Sequence, residues 1–134
     1  MTQMTARPFA LLDQQQYANL FTFRKNGDAI KTPVWFAEQG DRLYIMTTMD
    51  SGKVKRIRNN GHVLIGPSDR AGNPKGPTIA AQARLLAPTE AAMASAALDR
   101  KYGLMKAVFD FFGTLRGMDR AWIEVSPAAK PMDA

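Results

Sequence analysis

Thr47-Thr48-Met49-Asp50-Ser51-Gly52-Lys53-Val54-Lys55-Arg56-Ile57-Arg58 is the stretch on which the fold turns. Two threonines end a strand, Asp50-Ser51-Gly52 turns the chain, and a short helix begins that carries Lys53, Lys55, Arg56 and Arg58. A helix start leaves backbone N–H groups without intrahelical partners and is the positive end of the helix dipole. Those amides, the Ser51 hydroxyl and the Lys53 ammonium together suit a phosphate. The plainer reading is that Ser51 only caps the helix and the cations face water. The local pattern leaves the two level. Asp50 fits the helix start or an ion pair better than an anion site.

Upstream, Tyr17 to Arg24 is aromatic and β-branched and reads as a strand. Lys25-Asn26-Gly27-Asp28 is a hairpin turn, and Ala29 to Ala37 returns as a second strand. Pro33 lies inside that strand and cannot donate to a ladder, so its position belongs at an edge or a bulge. Glu38-Gln39-Gly40-Asp41 turns the chain into a third strand, Arg42 to Thr48. Asn59-Asn60-Gly61 ends the basic helix, and His62 to Pro67 is a fourth strand. A Gly- and Pro-punctuated loop, Asp69 to Gly76, leads to a fifth strand from Pro77 to Ala87.

The period then changes. Pro88-Thr89-Glu90 opens an alanine-rich helix running to about Lys101, with Thr89 as N-cap. Leu104, Val108, Phe111, Phe112 and Leu115 recur at helical spacing and predict a second amphipathic helix to Arg116. Arg120 to Val125 is a sixth, closing strand, and Pro127 to Ala134 reads as an unstructured tail. The order predicts an α+β domain: a six-stranded antiparallel Greek-key barrel with flanking helices. One domain spans 1–134, with its core at about 16–127 and flexible termini.

Composition narrows the function classes. There is no cysteine, so disulfides and thiolate metal sites are excluded, and no metal centre is expected. Met1 to Leu12 lacks a long apolar run, and no segment reaches the roughly 20 apolar residues of a membrane span, which predicts a cytoplasmic protein. The net charge of +6 favours an anionic partner of some kind without choosing one.

A second candidate surface is Lys31-Thr32-Pro33-Val34-Trp35-Phe36. A proline-kinked strand exposes backbone groups along which a flat ring system fits, with Trp35 against it; Trp35 and Phe36 also suit ordinary barrel positions. Thr47 and Thr48 alternate faces, so only one of them points into a given site. His62 is the only histidine and has no assigned role. No Ser-His-Asp set, metal cluster or Walker-type loop is present, so catalytic acids and bases are unassigned and any chemistry rests on a cofactor. The Phe109-Asp110-Phe111-Phe112 stripe suits packing on the barrel or a second subunit better than a membrane surface.

T-F-R-K-N-G-D-A-I-K-T-P-V-W-F-A from Thr22, Y-I-M-T-T-M-D-S-G-K-V-K-R-I-R-N-N from Tyr44, K-Y-G-L from Lys101 and A-W-I-E-V from Ala121 together resemble the pyridoxamine 5′-phosphate oxidase-like split β-barrel proteins. The likeness extends over roughly Gln16 to Pro127. Within them it leans toward the flavin and deazaflavin oxidoreductases that use coenzyme F-420. The resemblance implies an FMN-binding split barrel that forms a homodimer with cofactor at the interface. It implies that Lys31, Thr32, Pro33, Val34 and Trp35 line the ring and that Thr47 meets the phosphate or ribityl chain. Ser51 and Lys53 would clamp the phosphate, and Thr78 would approach from a neighbouring strand or the partner subunit. The chain departs from that pattern at Gly61, where proline is common, and at Ala80-Ala81-Gln82, where acidic residues are common. The residue set of a true pyridoxamine phosphate oxidase is incomplete.

The expected function is an oxidoreductase that binds F-420 or FMN and passes hydride to a small organic acceptor. The alternative is a non-catalytic flavin or haem carrier. Nucleic-acid binding through Lys53 to Arg58 ranks third, because no aromatic residues are interleaved with the cations as a stacking platform requires.

Overall fold

The computed structural model describes residues 9–49, 51–102 and 120–128. Six strands form: β1 (Tyr17–Phe23), β2 (Ala29–Gln39), β3 (Arg42–Thr48), β4 (His62–Ser68), β5 (Ile79–Leu85) and β6 (Arg120–Pro127). Helix α1 (Gly52–Asn59) lies between β3 and β4, and α2 (Ala91–Tyr102) follows β5. Every neighbouring pair is antiparallel, and the strands close into a barrel in the order β1-β2-β3-β6-β5-β4. The expected Greek-key barrel is therefore observed. β6 reaches two residues further than expected and takes in Pro127.

Closure follows from period-two patterning. Ala18 and Leu20, Val34 and Phe36, Leu43 and Ile45, Val63 and Ile65, Ala81 and Ala83, and Ile123 and Val125 alternate inward and form one buried core. Ile57 of α1 joins it, with Phe9 and Leu12 from the N-terminal segment. The opposite faces of β2, β3 and β6 give Ala37, Tyr44 and Trp122, which pack under Ala94, Ala97, Leu98 and Tyr102 of α2.

The barrel is split at one seam. β2 pairs with β3 only from Phe36↔Ile45 to Gln39↔Arg42, whereas Ala29 to Trp35 pair with β1 alone. Pro33 lies in that unpaired half, opposite Asn19 of β1, and so occupies the edge its missing N–H demands. Tyr102 marks the other end of the β1–β2 ladder. Its hydroxyl accepts from the Phe36 N–H at 2.9 Å and lies within donating distance of the Gln16 and Phe36 carbonyls.

Thr89 does not cap α2. Pro88–Glu90 forms a 3-10 turn, and the Glu90 carboxylate instead accepts from the Ala87 N–H at 2.8 Å. A carboxylate at this turn also reaches Arg84, which a threonine hydroxyl is too short to do: Arg84 holds Glu90 through Nη1 and Nη2 and Glu124 through Nε. The amphipathic stretch from Leu104 to Arg116 lies outside the described residues. Gly61 is required by close approach, since a Cβ there would sit 2.7 Å from the Ala83 carbonyl oxygen. No helix among the described residues is long and apolar enough to cross a membrane.

Candidate functional site at the split between β2 and β3

Beyond the Phe36↔Ile45 pair the next residues are Trp35 and Met46, then Val34 and Thr47. All four line a cleft of about 220 Å³, with Pro33 beside them and Tyr17 and Leu98 closing its sides. The site is thus a consequence of the seam: where the strands stop bonding to each other, their edges become walls. Trp35 is fixed by its neighbours, edge-on to Tyr17 at 6.2 Å and stacked on Tyr102 at 5.0 Å. Two hollows flanking Lys101 are each larger, about 270 Å³, but polar side chains such as Gln14 and Arg100 wall much of them.

Lys53 brings charge to this largely apolar cleft. Its side chain is half-buried and has no acceptor among the described residues. Burial pushes its pKa below the ordinary lysine value, and the neighbouring Arg56 lowers it further. Arg56 folds back along α1: its Nε donates to Thr22 Oγ1 at 2.6 Å, and its Nη1 lies 2.7 Å from where a Gly52 Cβ would be. Two cations therefore meet at the positive end of a helix with no described counter-charge, an arrangement that an anion relieves.

Ser51 is the N-cap, as the plainer reading held. Its Oγ accepts from the Val54 N–H and from the Thr47 hydroxyl, both at 3.4 Å. With its lone pairs engaged, the Ser51 proton is left to donate, and it finds no acceptor among the described residues. The Gly52 and Lys53 amides likewise have no described acceptor. The cap and the anion cradle are therefore compatible: capping uses the oxygen and a ligand would use the hydrogen.

The sequence candidates divide into groups. Pro33, Val34, Trp35, Thr47 and Lys53 come together in the cleft, and Ser51 adjoins it through Thr47. Thr47 rather than Thr48 faces it. Lys31 does not line it; its ammonium donates to the Gly72 carbonyl at 3.1 Å and ties down the loop after β4. Thr32, paired with Leu20 of β1, and Thr78, exposed beside Gly66, also lie off the cleft. Sequence reasoning missed Tyr17, Met46, Arg70, Leu98 and the inward turn of Arg56. Tyr17 and Met46 carry a signal, since each ends or crosses a strand beside the seam; Leu98 and Arg70 reach the cleft only through tertiary packing. His62, stacked on Phe23 at 5.4 Å, lies elsewhere. No group of three or more His, Cys, Asp or Glu residues able to hold a metal exists among the described residues.

Solved structures share the fold. An F420 reductase is 24% identical with a TM-score of 0.57, the match covering 94% of this chain and 97% of that one. The haem storage protein HutZ from Vibrio cholerae is 15% identical with a TM-score of 0.67, covering 90% and 87%. An FAD-binding protein from Mesorhizobium loti is 13% identical with a TM-score of 0.63, covering 90% and 85%. No curated protein matches the chain. The model of the pyridoxamine 5′-phosphate oxidase family matches residues 4–129 of 134, the whole barrel with its seam and its helix α1, and the chain belongs to that family.

Proposed function

We propose that the cleft holds a ring coenzyme bearing a phosphate, FMN or the deazaflavin F-420, and that the protein is an oxidoreductase passing hydride to a small organic acceptor. The observation that carries this reading is Lys53, a half-buried ammonium without a described partner beside a largely apolar cleft. An unpaired cation so placed costs stability unless a ligand supplies the missing charge. The kinship with flavin- and F420-related barrels supports the same reading.

The residues present fit such a group. Lys53 Nζ, the Ser51 hydroxyl and the free amides of Gly52 and Lys53 would take the phosphate, and Thr47 the adjoining chain. Pro33, Val34 and Trp35 offer a flat wall for the ring, while Met46 and Leu98 exclude water from it. The bound coenzyme supplies the hydride chemistry, and the cleft contributes orientation and a dry environment. Lys31 acts at one remove, by fixing the loop after β4.

The cleft's 220 Å³ falls short of the roughly 300–1,000 Å³ of small-molecule sites, so one chain covers only part of such a ligand. We assign the remaining wall to a second copy in a homodimer, the arrangement in which Thr78, remote from its own cleft, has a ligand to reach.

Fluorescence titration of FMN and F-420 tests the proposal: at least one binds at micromolar affinity or better, and the bound, reduced coenzyme is oxidised by a nitroaromatic or quinone faster than free coenzyme. Binding without acceleration identifies a carrier; no binding by either coenzyme refutes the site.

A further inference from the structure

Arg70 is exposed, contacts the cleft, and has no partner among the described residues. Its backbone is held with unusual care for a surface loop. Asp69 accepts from the Ala71 and Asn73 amides at 2.9 Å each and from Asn73 Nδ2 at 2.9 Å. The Gly72 carbonyl then receives two donors from the barrel, Asn19 Nδ2 at 2.8 Å and Lys31 Nζ at 3.1 Å. Asn19 is 2% exposed, so this anchor is a buried one. Gly72 has φ +91°, which only glycine adopts without strain, and an isolated Ser68↔Pro74 bridge closes the loop.

Lys53 and Arg70 reach the cleft from different elements. Lys53 stands on the helix that follows β3, whereas the Arg70 loop is tied to β1 and β2. No acidic side chain is among the described residues that line the space between them. A single phosphate needs one such cradle, and α1 already supplies it.

We propose that this is a two-anion site, in which Arg70 receives a second acidic group, a carboxylate or phosphate, distinct from the phosphate at Lys53 and Ser51. The proposal rests on the coenzyme reading and extends it to ligand selection. The second group has two possible sources: an acidic tail on the coenzyme, or an acidic acceptor seated beside the ring. With the loop backbone already fixed, only the Arg70 side chain has to order to pair with either.

Arg70→Gln separates these sources, because the substitution lies on an exposed loop and leaves the core intact. Dissociation constants of FMN and of F-420, whose tail bears carboxylates, are measured for both proteins. Those of 4-nitrobenzoate and neutral 4-nitrobenzyl alcohol are measured on the FMN-loaded forms. A loss of about tenfold or more confined to F-420 places the second anion on the coenzyme tail; the same loss confined to 4-nitrobenzoate places it on the acceptor. Equal weakening of FMN and F-420 means that both cations share one phosphate and overturns the proposal, as does a variant indistinguishable from the parent with every ligand. A parent protein that binds neither coenzyme overturns the coenzyme reading beneath it, whereas tight coenzyme binding with coenzyme and 4-nitrobenzoate affinities alike indifferent to Arg70 overturns the two-anion proposal alone.

Discussion

The Trp35 indole stacks on the Tyr102 ring with centroids 5.0 Å apart and planes 21° from parallel, so the wall of the cleft leans on the last turn of α2. The same tyrosine mends the ladder behind that wall. β1 and β2 pair from Phe23↔Ala29 to Tyr17↔Trp35, and the next partners would be Gln16 and Phe36. The Tyr102 hydroxyl stands there instead, taking the Phe36 N–H and lying within reach of both carbonyls.

Tyr102→Phe keeps the ring stacking but leaves a buried N–H without an acceptor. The expected loss is about 1–3 kcal/mol in urea unfolding, with the same m-value as the parent. A change below about 0.5 kcal/mol would show that water satisfies Phe36 equally well. Tyr102 is buried and its phenol pKa is raised, chiefly by desolvation, so the hydroxyl remains a neutral donor and acceptor across the whole working pH range.

Lys53 predicts opposite trends for stability and for binding. Its pKa is depressed from 10.5, first by burial and then by Arg56. Between that depressed value and 10.5 the unfolded chain holds more protons at this position, so the ligand-free fold gains stability as pH rises through the window. Phosphate binding needs the ammonium, so affinity declines over the same rise. Lys53→Met should remove both trends and stabilise the ligand-free protein by up to about 1 kcal/mol in thermal unfolding at neutral pH. A destabilised variant would mean that the ammonium has a counter-charge in the ligand-free protein.

Gly61 tests the tightness of the barrel at the end of α1. Its carbonyl accepts from the Ala83 N–H at 2.7 Å, and a Cβ would meet the Ala83 carbonyl oxygen at 2.7 Å. Backbone must move to admit it, so Gly61→Ala should cost about 1–3 kcal/mol in urea unfolding. An unchanged midpoint would place more space between α1 and β5 than the structure has.

What the sequence made legible was whatever one segment decides by itself. Alternation at Leu43 and Ile45 or Val63 and Ile65 set the strands, Asn26-Gly27 set the hairpin, and Pro33 announced an edge or a bulge, of which the structure has the edge. Ser51 and Lys53 were legible for the same reason, because cap and cation share one turn. Thr89 misled because the cap was decided by Glu90, whose long carboxylate also reaches Arg84 on β5. Arg56 did not stand out from Lys55 and Arg58 because its acceptor, Thr22, is 34 residues away. Arg70 was silent altogether: its loop is aimed by Asn19 and Lys31 through a single carbonyl, a relationship that no local pattern encodes.

The most direct test compares FMN with riboflavin, which differ only by the phosphate, on the parent protein and on Lys53→Met. The parent should prefer FMN by roughly ten- to a hundredfold, the scale of a charge-assisted hydrogen bond. Lys53→Met should lose most of that preference while riboflavin affinity stays within about twofold. Equal losses for both ligands, or an FMN preference that survives the substitution, would contradict the placing of the phosphate at the start of α1.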